Sequence, residues 1–406
     1  MAKSILIFAD GTGNEGGLLP DESRTNVYKL YCATRTGPDS IIDPNKQLAF
    51  YVPGIGTPTP RHDSWWARTK EYVQQAFGFG ITKKVIDCYV AILGSWEPGD
   101  RIYLFGFSRG AYTARCVAHV LEVCGVSTQQ PDGSALNLDP KSLRAIAKEA
   151  ASCLYVGGMP RNINSANSHI DEFRSKYAPA LGLANGASAY LIGIWDTVAA
   201  IGWQRVFPDW TYDRHFCRDI QYARHLQSID ECRKDFKRVA WGGSGTVTWP
   251  DRKDEPEQFD QIWFAGNHAD IGGSYPENES RLSDITLAWM VKFISEDIRE
   301  DGRVLVDRSQ LNLYPACDGM MHDECMVGIG GTRLHWDKAP RVVPDTATLH
   351  QSVYDRLALP RVRNFTSFGP YRPIALQNHK DAKAFFEERV IEKFGELAPS
   401  VASPNS

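Results

Sequence analysis

Short apolar runs that stop at turn-forming residues recur along the chain. Ile5-Leu6-Ile7-Phe8, closed by Asp10-Gly11-Thr12-Gly13-Asn14, predicts a buried strand ending in a loop. Leu48-Ala49-Phe50-Tyr51-Val52 repeats the pattern and stops at Pro53-Gly54. From Gly80 to Gly94 the residues Ile81, Val85, Tyr89, Ile92 and Leu93 recur at helical spacing and predict an amphipathic helix. Pro98-Gly99-Asp100 then turns the chain into a further strand, Ile102 to Phe105. Arg109 to Leu121 reads as a helix with Ala111, Ala114, Val117, Ala118 and Leu121 on one side. Two more strands are predicted, Ala189 to Trp195 ending at Asp196, and Gln261 to Ala265 ending in a glycine-rich loop with His268. A helix is expected over Ser283 to Arg299 with Ser283 as its N-cap, and Ala223-Arg224-His225-Leu226 also reads as helical.

Continuous apolar strands alternating with helices imply a mostly parallel sheet covered on both faces. The expected fold class is α/β, of the α/β-hydrolase kind once the motif below is included. The stretches 125–187 and 200–258 read as insertions into one domain covering 1–395, and 396–406 as a disordered tail. No internal repeat or low-complexity linker is found.

Composition narrows the partners. The 406 residues are 43% hydrophobic and 23% charged, as in globular proteins. With 45 basic against 49 acidic residues the net charge is -4, so no basic excess is on hand to neutralise phosphates, and no nucleic-acid partner is expected. MAKSILIFADG is too short an apolar start for a secretory signal, and no apolar run approaches 18 residues. The expectation is a protein without a transmembrane segment, cytoplasmic as synthesised. Nine cysteines without a CxxC pair predict free thiols in a reducing compartment and no zinc ribbon.

The strongest chemical signal is Gly106-Phe107-Ser108-Arg109-Gly110, a G-x-S-x-G between a predicted strand and a predicted helix. In that context the glycines permit a sharp turn that exposes the serine, and the helix N-terminus behind it favours developing negative charge. A serine nucleophile needs a base and an orienting acid, which follow in α/β-hydrolases in the order Ser, Asp, His. Asp196 and His268, each at a predicted strand end, supply that order, so Ser108, Asp196 and His268 are the candidate catalytic residues. The oxyanion hole is expected from the backbone of Arg109 and of Gly11 or Thr12.

Rivals exist. His225 is an alternative base and Asp270 an alternative acid, whereas His119 reads as a core or groove residue of the serine helix. His62, His169 and His379 stand in polar context and read as solvated. A metal-dependent phosphoesterase gathering Asp10, Asp196, His268 and Asp270 is one competing function. A non-catalytic scaffold on the same fold is another. The leading reading needs no cofactor and no metal. Trp65-Trp66, Trp203, Phe207 and Trp210 either line an acyl groove or membrane contact, or fill the insertions' own cores.

Five segments in order resemble the DUF2235 family, the Tle1-like catalytic domain of type VI secretion phospholipase effectors. They are Phe8 to Asn14, Tyr51 to Thr57, Gly106 to Arg115, Ile194 to Val198 and Trp263 to Gly273; Arg224 to Glu231 resembles a sixth. The resemblance covers roughly residues 5–300. It implies an α/β-hydrolase fold, a triad on Ser108, Asp196 and His268, and cleavage of phospholipid or other acyl esters, with transient contact to a membrane surface. Gly13 departs from the tryptophan of many relatives. No large docking extension follows the domain, so a stand-alone hydrolase is expected beside an effector exported by a contractile secretion system.

Overall fold

The computed structural model describes residues 2–11, 23–54, 77–156, 159–160, 163–198, 217, 219–234, 236–239, 241, 258–329, 332–335, 337–364 and 367–386. Thr12, Gly13, His62, Trp65, Trp66, Trp203, Phe207, Trp210 and the expected tail 396–406 lie outside the described residues.

Seven strands build the main sheet: β1 (Ser4–Ala9), β2 (Gln47–Val52), β3 (Arg101–Phe107), β4 (Ala189–Trp195), β5 (Tyr222–Ser228), β6 (Phe259–Phe264) and β7 (Thr348–Leu349). Their spatial order is β7-β6-β5-β4-β3-β1-β2, and every pairing is parallel. The principal helices are α1 (Asn26–Thr34), α2 (Phe77–Leu93), α3 (Arg109–Cys124), α4 (Pro140–Leu154), α5 (Ile163–Tyr177), α6 (His268–Gly272), α7 (Arg281–Lys292) and α8 (Gln351–Ala358). The α/β class expected from the alternating pattern is the class observed.

The period of two along a strand explains the continuous apolar runs. Ile5, Ile7, Ile102, Leu104, Ile192 and Ile194 face one side and pack with Val85, Tyr89, Val117 and Leu121 of α2 and α3. Their neighbours Leu6, Phe8, Tyr103, Phe105, Leu191 and Trp195 face the other side, with Leu30 of α1 and Leu287 and Met290 of α7. Both faces are dry, so neither can alternate with polar residues. A third cluster under β7 joins Trp263 to Val353 and Leu357 of α8 and to Tyr371.

Two elements of the fold depart from expectation. Residues 222–228, inside the stretch 200–258 and read as helical near His225, form the inner strand β5. Ala223 and Leu226 imitate a helical spacing, and Arg224, His225 and Gln227 disguise a strand that is buried throughout. Arg224 is accommodated by donating Nη1 to the Ala223 carbonyl at 2.8 Å and by lying 4.1 Å over the Phe293 ring. Helix α7 begins two residues earlier than Ser283, with Ser280 in the N-cap position, and gives way after Lys292 to a wide turn over Phe293–Asp297. The stretch 125–187 carries two helices packed on the sheet's helical layer; α4 starts at Pro140 behind Asp139, whose side chain accepts the Lys141 and Ser142 N–H groups. Among the described residues no helix is long and apolar enough to cross a membrane.

Candidate active site

Parallel strands leave their carboxyl ends along one edge, where open α/β sheets bind ligands. Four of these ends carry the site. Ser108 stands between β3 and α3 with φ +59° and ψ -121°, a backbone position that few non-glycine residues adopt. Two glycines make the turn possible. A Cβ on Gly106 would lie 2.5 Å from the Gly110 carbonyl oxygen, and one on Gly110 would lie 1.9 Å from that of Ala9. The turn is anchored across the sheet by the Ser108 N–H, which donates to the Trp195 carbonyl at 3.1 Å. The serine is 8% exposed.

Asp196 ends β4 with φ +37° and is fully buried. Its Oδ1 accepts the Ser228 N–H at 3.0 Å and Arg341 Nη1 at 2.7 Å. Its Oδ2 accepts Arg341 Nη2 at 2.9 Å and meets His268 Nδ1 at 2.6 Å. Burial alone would raise this carboxyl, but the Arg341 guanidinium and then His268 overcome it and hold the group well below the usual carboxylate range.

His268 is the first residue of α6, which Asn267 caps by accepting the Ala269 and Asp270 N–H groups at 2.9 Å. Asp270 closes the capping box on the Asn267 N–H at 3.1 Å. The imidazole lies against Phe107, centroids 4.6 Å apart, and edge-on to Phe236 at 5.3 Å. Its backbone N–H donates to Glu231 Oε2 at 3.3 Å, and Glu231 is itself locked to buried Arg233. Burial lowers the His268 pKa, opposed in part by the bond to Asp196. The shift favours the neutral ring.

The rival residues serve the frame. Buried Asp270 pairs with His322, Oδ1 to Nδ1 at 2.8 Å, and does not face His268. His225 accepts the Thr197 N–H on Nε2 at 3.2 Å, one residue beyond Asp196, and is buried. His119 is half-buried on α3 beside the Tyr155 hydroxyl at 3.3 Å. His169 is half-buried on α5. His379, expected to be solvated, is 1% exposed and meets the Ala347 carbonyl at 2.9 Å. Its polar neighbours in sequence concealed a turn tucked under α8.

The first loop is braced by a network the sequence did not announce. Asp10 is buried, with Oδ2 accepting from Thr25 at 2.6 Å and from Tyr51 at 2.7 Å. Lys84 donates to the Asp10 carbonyl at 2.7 Å, and burial pulls its ammonium down to about 8. The Gly11 N–H, one expected oxyanion donor, is spent on Asp10 Oδ1 at 2.7 Å because the carboxylate folds forward over its own following peptide. Arg109 opens α3, where first-turn N–H groups have no intrahelical acceptor.

Asp10, Asp196, His268 and Asp270 do not converge: the first faces Thr25 and Tyr51, the second and third face each other, the fourth faces His322. The group of metal-ligating types found within 4.8 Å among the described residues is Cys232, Asp323 and Cys325. There the two sulfurs are bonded to each other as a disulfide spanning 93 residues, which corrects the expectation of free thiols throughout. A separation of that length leaves no pairing signal in the sequence. Of the seven other cysteines, five are buried as small side chains.

Arg341, Glu231 and Phe236 touch the candidate residues, Arg233 backs the last two, and none was foreseen. Each is a single charged or aromatic residue in an irregular stretch, and no spacing marks it.

Several known proteins resemble the chain. The uncharacterized protein YEL023C of Saccharomyces cerevisiae is 26% identical over 251 residues, covering 59% of this chain and 33% of the yeast protein. An uncharacterized protein from Pseudomonas aeruginosa is 19% identical at a TM-score of 0.40, covering 77% of this chain and 48% of the other. The Tle1 effector bound to the VgrG spike of the type 6 secretion system is 19% identical at a TM-score of 0.36, covering 69% and 52%. The chain thus spans about a third of the length of the yeast relative and about half of the two solved chains. Residues 3–293 match the family model for the type VI secretion phospholipase effector Tle1-like catalytic domain, and the chain belongs to that family.

Proposed function

We propose that the protein is a serine carboxylester hydrolase of the phospholipase type, built as a single catalytic domain, with Ser108 as nucleophile, His268 as base and Asp196 as orienting acid. The observation that carries this reading is the 2.6 Å bond from His268 Nδ1 to Asp196, beside a serine in a left-handed elbow. In the reaction Ser108 Oγ attacks the acyl carbonyl and passes its proton to His268 Nε2. Asp196 holds the proton on Nδ1, so that Nε2 is the free acceptor, and it stabilises the imidazolium that forms. The same proton then goes to the leaving alcohol, and water repeats the sequence to free the acid. The oxyanion rests on the Arg109 N–H, while the Gly11 N–H is engaged by Asp10.

Membership of the family supports a phospholipid as the acyl ester, met transiently at a membrane surface. The test is intact mass after treatment with a fluorophosphonate, for wild type and Ser108→Ala in parallel, followed by a phospholipid screen. One adduct on wild type and none on folded Ser108→Ala is the expected result. An unlabelled, folded wild type that also cleaves no ester in the presence of detergent micelles overturns the reading in favour of a scaffold.

A further inference from the structure

The family match ends at residue 293, but the site continues beyond it. Arg341 lies 145 residues after Asp196 and grips both oxygens of its carboxylate, Nη1 to Oδ1 at 2.7 Å and Nη2 to Oδ2 at 2.9 Å. Nη2 also donates to the Phe236 carbonyl at 3.1 Å, and the side chain is 5% exposed. Main-chain bonds deliver it there. The Ala339 N–H donates to the Cys232 carbonyl at 2.7 Å and the Lys234 N–H to that of Asp337 at 2.8 Å, so 337–339 runs beside 232–234. Five residues after Lys234, the Val239 N–H donates to the carbonyl of Thr197, the residue after Asp196, at 3.1 Å.

A planar guanidinium matches a carboxylate in one plane and resists its rotation. Oδ2, which meets His268 Nδ1, is shared with Nη2, so the plane set by Arg341 is the plane in which His268 is held. A fixed cation on the carboxylate also weakens its pull on an imidazolium. The other charged groups around His268 balance: Glu231 takes its backbone N–H, Arg233 covers Phe236 at 3.5 Å, and Asp270 is engaged by His322.

We propose that Arg341 is a positioning residue of this site. Its fork fixes the carboxylate of Asp196 on His268, and its charge lets His268 work as a base at lower pH than it would beside Asp196 alone. The inference rests on the reading of Ser108, His268 and Asp196 as a triad.

The experiment measures fluorophosphonate labelling rate against pH for wild type, Arg341→Met and Arg341→Lys, together with the His268 titration followed by NMR on the Ser108→Ala background. For Arg341→Met the acid limb and the His268 titration move up by about one pH unit, and the plateau rate falls about tenfold or more. Arg341→Lys retains the charge without the fork, so its limb stays near wild type while its plateau still falls. A folded Arg341→Met with both curves in the wild-type position overturns the proposal, as does Arg341→Lys with a wild-type plateau. Because the titration needs no reactive serine, a wild type that never labels sinks the triad reading separately, while the NMR shift still decides whether Arg341 acts on His268.

Discussion

Phe107, the residue before the candidate nucleophile, lies against the imidazole of His268 with ring centroids 4.6 Å apart. This contact joins the turn that carries Ser108 to His268 through a rigid ring. The same helix that begins at His268 ends at Gly272, where a Cβ would meet Phe107 Cε2 at 2.0 Å. Gly272 therefore makes room for the ring on which His268 rests.

Gly272→Ala is predicted to overpack this spot. Stability falls by about 1–3 kcal/mol, and His268 is displaced with the ring. Urea unfolding and fluorophosphonate labelling measure the two effects. The double variant Gly272→Ala with Phe107→Leu frees the space and regains part of the lost stability, since residues in contact are not additive. Wild-type stability and labelling in Gly272→Ala alone would show that the ring is free to yield.

The strands read from the sequence were those in which apolar residues run unbroken, because burial on both faces demands it. β1, β3 and β4 are of this kind, and their ends gave Asp10, Ser108 and Asp196. β5 was hidden because its polar side chains are satisfied by tertiary partners: Arg224 on carbonyls and a ring, His225 on Thr197 and Gln261. The candidate residues were legible because a sharp turn needs glycines on both sides of Ser108 and because their order along the chain is informative. Arg341 was not, since its grip on Asp196 depends on which distant segments meet, and the Glu231–Arg233 pair, though local, reaches His268 only through the tertiary fold.

His225 leads to a prediction about acid stability. Burial, reinforced by Arg115 and Arg238, pushes its imidazole from 6.5 down to about 3. Between those values the unfolded chain binds the proton and the folded protein does not. The stabilisation is thus fully present above 6.5 and is lost as pH falls from there through about 3, a contribution on the order of 5 kcal/mol. His225→Gln removes the titration while leaving an acceptor for the Thr197 N–H. Its stability against pH, from urea midpoints, is expected to be flatter than wild type over that window, at a neutral-pH cost of about 1–2 kcal/mol. Asp230, whose carboxyl burial pushes up to about 6, slopes the opposite way, but it is present in both proteins and cancels in the comparison. Parallel curves would mean that His225 is protonated within the fold.

The Cys232–Cys325 disulfide bears on both stability and the site. Cys232 stands between Glu231 and Arg233, which hold the His268 backbone and the Phe236 ring. Cys325 follows Glu324, which accepts a hydrogen bond from the Tyr275 hydroxyl at 2.5 Å, and Tyr275 in turn accepts from Asn267, the cap of α6. The bridge therefore clamps the two segments that carry His268 from either side. Closing a 93-residue span removes freedom from the unfolded chain, and such bridges contribute about 2–4 kcal/mol. For a chain of this length that loss corresponds to a Tm lower by about 2–5 °C. Cys325→Ser, and wild type under a thiol reductant, are each expected to show that drop together with slower labelling of Ser108. Non-reducing intact mass decides whether the bridge is present at the start: two hydrogens fewer than the reduced mass is the expected reading. A reductant that changes the mass but neither Tm nor labelling rate would show that Glu231, Arg233 and the 337–339 pairing hold the site without the bridge.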